Sequence, residues 1–190
     1  MMAPVTHLLL MINAILFVLE GVFGEGFVST FSLWPLGPDF EWWQILTSAF
    51  LHGNLVHLAT NMFGLWMFGR DVESLLGSRR FLRLYLLSAV TASLTQLIVT
   101  TAAGANIPTL GASGAVFGVL GAFALLYPRR MIILLIPPIP LPARVFVFLY
   151  ALFELTSGVL GTQAGVAHFA HLGGLIGGVL IVWRWRRNFY

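Results

Sequence analysis

Long apolar runs separated by short polar breaks divide the chain into six stretches, at about residues 7–23, 52–69, 81–103, 111–127, 143–161 and 166–184. A helix rises about 1.5 Å per residue, so roughly 20 apolar residues cross a hydrocarbon core of ~30 Å. The pattern therefore predicts an all-α polytopic membrane protein of six transmembrane helices in a single domain over 1–190, with connections too short for a second domain. The fourth run is unusual. From Ser113 to Tyr127 it gives only about 22 Å of helix before Pro128 stops it. If that stop lies at one membrane surface, the helix starts below the other. Thr101 to Leu110, with Gly104, Asn106 and Pro108, must then descend to meet it, and irregular backbone at that depth survives only inside protein or beside water.

Composition fixes the solvent. Of the 190 residues 58% are hydrophobic and 9% charged, which excludes an ordinary soluble domain. All ten cations are arginine, and they cluster. Arg70, Arg79, Arg80 and Arg83 follow the second run; Arg129, Arg130 and Arg144 lie around the connection between the fourth and fifth; Arg184, Arg186 and Arg187 close the chain. The first, third and fifth connections hold none, and the first carries Glu25, Asp39 and Glu41 instead. The positive-inside rule places both termini in the cytoplasm of a multi-pass cell-membrane protein. These charges thus report topology, and nucleic acid is not an expected partner. The first run has no preceding Lys or Arg and no clear small-residue cleavage site, so it is expected to be a retained span. The connection at about 24–51, with Phe27, Phe31, Trp34, Trp42 and Trp43, is expected to lie partly in the interface. There is no cysteine, which excludes disulfides, zinc-thiolate sites and cysteine nucleophiles.

Two reactive side chains sit in glycine-lined apolar runs: Ser113 in GASGAVFG and His171 in AHLGGLIGG. A membrane serine is usually structural, bonding a carbonyl one turn back. Here Gly114, Gly118 and Ala122 repeat every fourth residue, as do Gly174 and Gly178, and such tracks let two backbones approach closely. That approach would bring Ser113 and His171 within hydrogen-bond reach, as a nucleophile and its base require. A helix beginning at Ser113 also presents unpaired N–H groups and a positive dipole end, a site suited to an oxyanion. On the second run Asn54, His57 and Asn61 share a helical face, either joining helices or lining a water-filled cavity. His52 is a candidate for a water entrance at the outer end.

Several motifs now agree in order. Gly111-Ala112-Ser113-Gly114 is a GxSG; Ala170, His171, Gly174 and Gly178 form AHxxGxxxG; His57 and Asn61 form HxxxN, preceded by His52; Gly69, Glu73 and Gly77 form GxxxExxxG. From about Trp42 to Gly178 the chain resembles the rhomboid intramembrane serine proteases. The resemblance implies a rhomboid-like bundle with a short, sunken fourth helix and a Ser113–His171 catalytic dyad. It also implies an oxyanion held by the Ser113 N–H with the side chains of His57 and Asn61, and Phe117 stacked on the base. His171 fits the glycine frame at all four fixed positions, whereas His168 has His171 where glycine is required. No acid is expected beside the base, and Glu20 and Glu154 read as structural. Activity is expected to fall at acidic pH as the base protonates.

The expected substrates are single-pass transmembrane proteins, cleaved in or near their spans and admitted laterally, with the fifth run (Phe146, Phe148, Phe153) and the connection before Ser113 as mobile candidates. No metal or cofactor is expected, and the oligomeric state is left open. Gln44 follows Trp43 where many relatives carry arginine, which removes an expected headgroup contact. The alternative reading is an inactive rhomboid-like scaffold binding single-pass clients; a channel or transporter would be expected to show repeats or an acid in its relay.

Overall fold

A computed structural model describes residues 3–134, 137–162 and 165–186. Arg187, assigned above to the terminal arginine cluster, lies outside them. Eight α-helices make up the described chain: α1 (Pro4–Phe23), α2 (Glu25–Phe31), α3 (Gln44–Thr47), α4 (Leu55–Leu76), α5 (Ser78–Ala102), α6 (Ser113–Leu126), α7 (Ala143–Leu160) and α8 (His168–Arg186). One 3-10 turn (Ser48–Phe50) follows α3. Between α6 and α7 lies a hairpin, where β1 (Met131–Ile133) runs antiparallel to β2 (Pro140–Pro142). Its β-branched residues favour a strand, and the prolines confine β2 to an edge.

By length and apolarity, α1, α5 and α7 can each cross a membrane, and α6 is apolar but only 14 residues long. The two remaining long helices are α4, with His57, Asn61, Arg70, Asp71 and Glu73, and α8, with His168, His171, Arg184 and Arg186, polar residues that lower their hydropathy. α6 is the axis of the molecule. Every residue from Gly114 to Ala124 is buried, so the shortest apolar helix is the one most shielded from lipid. Its last turn ends at Tyr127, directly before Pro128.

Glycine determines how α8 docks. A Cβ on Gly174 would overlap the carbonyl oxygen of Gly114, and one on Gly178 would overlap that of Gly118. On the adjacent ridge, Gly173 and Gly177 meet Thr95 and Thr91 of α5 in the same way. The doubled GG pairs thus serve two neighbours at once. The i, i+4 pair 174/178 faces α6, and 173/177 faces α5.

Glu73, the acid of GxxxExxxG, ties three helices together. Its carboxylate accepts hydrogen bonds from the Val5 N–H (3.0 Å), the Thr6 N–H (2.8 Å), Thr6 Oγ1 (2.8 Å) and Ser78 Oγ (2.7 Å). It caps the start of α1 from α4 and holds the start of α5 through Ser78. Gly77, at φ 78°, makes the turn between α4 and α5.

Residues 24–51 form a packed loop around Gln44, which is 2% exposed. Its side-chain amide donates to the carbonyls of Thr30 (3.3 Å) and Asp39 (3.0 Å), while its oxygen accepts from the Trp34 N–H (3.2 Å). The residue standing in place of an arginine is therefore an internal tie. Leu33 and Thr109 exchange backbone hydrogen bonds (2.8 and 2.9 Å), and the Gly111 N–H donates to Ser48 O (2.9 Å). The loop thus grips the segment leading into Ser113.

Candidate active site

Ser113 opens α6 and His171 lies in the first turn of α8. The backbone contact of Gly114 with Gly174 draws the two helix starts together. Ser113 Oγ stands 2.8 Å from His171 Nε2, the separation of a hydrogen bond between a nucleophile and its base. Phe117, one turn along α6, lies flat on the imidazole, 4.3 Å between ring centroids and 4° from parallel. Tyr150 of α7 backs Phe117 at 4.9 Å.

In front of the serine lies a cavity of about 940 Å³, lined among others by His57, Asn61, Ser113, Phe117 and His171. Gly111 makes this approach possible. At φ 136° it sits in backbone space open to glycine, and a Cβ there would stand 2.8 Å from His57 Cε1 and 3.6 Å from Ser113 Oγ. The His57 ring thereby packs against Gly111, two residues before Ser113, and both line the same cavity. Asn61 is buried, and its Nδ2 has no hydrogen-bond partner. A buried donor without a partner, on the wall of the cavity that holds Ser113, calls for an acceptor.

Asn54 of the polar stripe and the upstream His52 have other roles. Asn54 is the N-cap of α4, its Oδ1 accepting from the His57 N–H at 2.8 Å, so it orders the helix start that carries His57. His52 is 2% exposed, edge-on to His57 at 5.2 Å between ring centroids, and is enclosed rather than placed at a water entrance. Its backbone N–H donates to both oxygens of Glu20 at 3.1 Å, which accounts for that acid as structural.

The expectation that no acid lies beside the base does not hold. Glu154 Oε2, on α7, is 2.9 Å from His171 Nδ1 and 2.7 Å from His168 Nδ1. Glu154 is 2% exposed. An ionisable residue inside a span is a functional candidate by default, and that signal was in the sequence. What the linear order hid is that the fifth run turns this carboxylate towards the start of the sixth. Among the described residues, Glu154, His168 and His171 also form one group with ligand atoms within 4.8 Å of one another, which could hold a metal ion. Their separations are those of hydrogen bonds, and His171 Nε2 is engaged by Ser113.

Comparison with known proteins agrees with the site motifs. The family model described as the Rhomboid domain matches residues 39–188. Rhomboid protein 1, mitochondrial, of Saccharomyces cerevisiae is 37% identical over 173 residues, covering 82% of this chain and 50% of that protein. Rhomboid protease GluP of Bacillus subtilis is 34% identical over 140 residues, covering 73% of this chain and 25% of that protein. The human presenilin-associated rhomboid-like protein, mitochondrial, is 32% identical over 139 residues, covering 73% of this chain and 36% of that protein. The chain thus spans half or less of the length of these relatives. With the match running through both the Ser113 and His171 motifs, the chain belongs to the rhomboid family.

Proposed function

We propose that this protein is an intramembrane serine endopeptidase that cleaves single-pass transmembrane proteins in or near their spans. The observation that carries this reading is the 2.8 Å approach of Ser113 Oγ to His171 Nε2 in a cavity whose walls come from spanning helices. Neutral His171 takes the hydroxyl proton as Oγ attacks the scissile carbonyl carbon. The carbonyl oxygen becomes an oxyanion, held by the Ser113 N–H, His57 and Asn61. The amide C–N bond then breaks, His171 gives its proton to the leaving amine, and an acyl-enzyme remains. Water, deprotonated by His171, attacks the ester carbonyl; the ester C–O bond breaks, and His171 returns the proton to Ser113 Oγ as the acid product leaves. These residues carry the steps without a metal or cofactor.

In this reading α1, α4, α5, α6, α7 and α8 are six spans of one domain covering 1–190. Both termini face the cytoplasm of the cell membrane, following the arginines. The cavity has α4 on one side and Phe146 and Tyr150 of α7 on the other, which supports lateral admission of a substrate helix. A helical segment must unwind there, since hydrogen-bonded carbonyls are poor targets for attack.

The test uses the purified chain in liposomes with a panel of single-pass substrates. Cleavage and labelling by a fluorophosphonate are both expected for the wild type, and both are expected to vanish in Ser113→Ala. A folded wild-type protein that takes no label and cleaves none of the panel overturns the reading in favour of a client-binding scaffold.

A further inference from the structure

We infer that Glu154 is a positioning residue for the base, its carboxylate holding the Nδ1–H of His171 so that Nε2 faces Ser113, with His168 as a second donor on the same oxygen. This rests on the protease reading above and extends the expected pair to a three-helix relay: Ser113 on α6, His171 on α8 and Glu154 on α7.

The proton count supports it. Ser113 Oγ–H can give its proton to His171 Nε2 only if the imidazole proton sits on Nδ1, and the atom facing Nδ1 is Glu154 Oε2 at 2.9 Å. His168 is enclosed by acceptors. Its Nδ1 faces the same carboxylate oxygen at 2.7 Å and its Nε2 faces the carbonyl of Thr162 at 3.1 Å. Both contacts are satisfied only when the Glu154–His168 pair holds one extra proton, either as carboxylate with imidazolium or as acid with neutral imidazole. In both forms Oε2 can still accept from His171. His168 thus offsets the carboxylate's charge and limits how strongly Glu154 stabilises the imidazolium that forms as Ser113 attacks.

The other titratable groups near His171 do not take this place. His57 on α4 is another imidazole and no carboxylate, Tyr150 on α7 contacts Phe117, and α5 presents the neutral Thr91 and Thr95 to α8. Among the described residues Glu154 is the acid in contact with the base.

The test compares wild type, Ser113→Ala, Glu154→Gln and His168→Asn in liposomes, with kcat and KM measured across pH and folding checked by thermal melts. For E154Q the expected result is a kcat lower by roughly 10²–10⁴, with KM little changed. The pH at which activity falls on the acid side is expected to move down, because the imidazolium loses its carboxylate. In H168N the carboxylate is freed from its second donor, and that fall is expected to move to higher pH. A merely structural Glu154 would change the folded fraction and leave the pH profile in place. Wild-type kcat and profile in folded E154Q, with S113A inactive, overturn this inference alone. Full cleavage by S113A overturns the protease reading, and this inference with it. If E154Q does not fold, H168N decides the question: an unmoved acid limb overturns the inference.

Discussion

The ring of Phe117 lies parallel to that of His171 within 4°, at a centroid distance of 4.3 Å, so the imidazole is held by a stack on one face as well as by hydrogen bonds at both nitrogens. An aromatic contact of this kind contributes about 0.5–1.5 kcal/mol. Phe117→Ala is therefore expected to lower kcat by roughly 2–10-fold with little effect on KM, whereas Phe117→Tyr keeps the stack. Steady-state kinetics on both variants check this.

Asn61 Nδ2 has no partner. If it is reserved for the oxyanion, Asn61→Ala removes a donor used only in the transition state, and kcat is expected to drop by ~10²–10³ at nearly constant KM. A rise in KM with kcat intact would assign Asn61 to ground-state binding instead.

Glycines at different depths should respond in opposite directions. Gly174→Ala places a Cβ into the Gly114 carbonyl oxygen and is expected to destabilise the protein by on the order of 1–3 kcal/mol, with lost activity. Gly21→Ala, on α1 with nothing within 4 Å of the added carbon, is expected to raise stability by about 0.5–1 kcal/mol. Thermal unfolding of the two variants in one detergent gives the comparison.

Glu73 receives four hydrogen bonds from α1 and α5, near the opposite end of α4 from His57. Glu73→Gln keeps the shape but loses the charge and part of the acceptor capacity, at an expected cost of about 1–3 kcal/mol. The melting temperature should fall while kcat per folded molecule stays near wild type.

Because the chain has no cysteine, a pair introduced at Val56 on α4 and Phe153 on α7 can be cross-linked selectively. Both positions are exposed on helices that border the cavity. Tethering is expected to stop cleavage of transmembrane substrates and leave fluorophosphonate labelling intact. Unimpaired cleavage would place substrate admission elsewhere.

Much of the site was legible because its residues are tied to local rules. Pro128 and the tally of turns gave a short α6, and the four-residue glycine spacing gave the close approach of α6 and α8. The glycine frame around His171 separated it from His168, and the structure places His171, not His168, on Ser113. What escaped depended on rotation about helix axes. Glu154 is one acid in an apolar run, and nothing in its neighbours shows that α7 turns it towards α8. Asn54 has the right spacing for the polar stripe, but the helix begins only after it, which makes it a cap. His52 is likewise three residues before α4, so helical spacing does not govern where its ring goes. The hairpin at β1 and β2 arose from a stretch too short for its alternation to stand out.

Of the three helices that supply the Ser113–His171–Glu154 contacts, α6 and α8 are locked by backbone against glycine, while α7 meets them through side chains and exposes Phe148, Leu152 and Val159. If α7 swings to let a substrate in, Glu154 travels with it. Opening the door then disarms the lock behind it. On the proposed reading the serine would reach full readiness only after the helix settles back around an admitted chain, so a lipid contact that holds α7 outward would silence cleavage without touching the cavity.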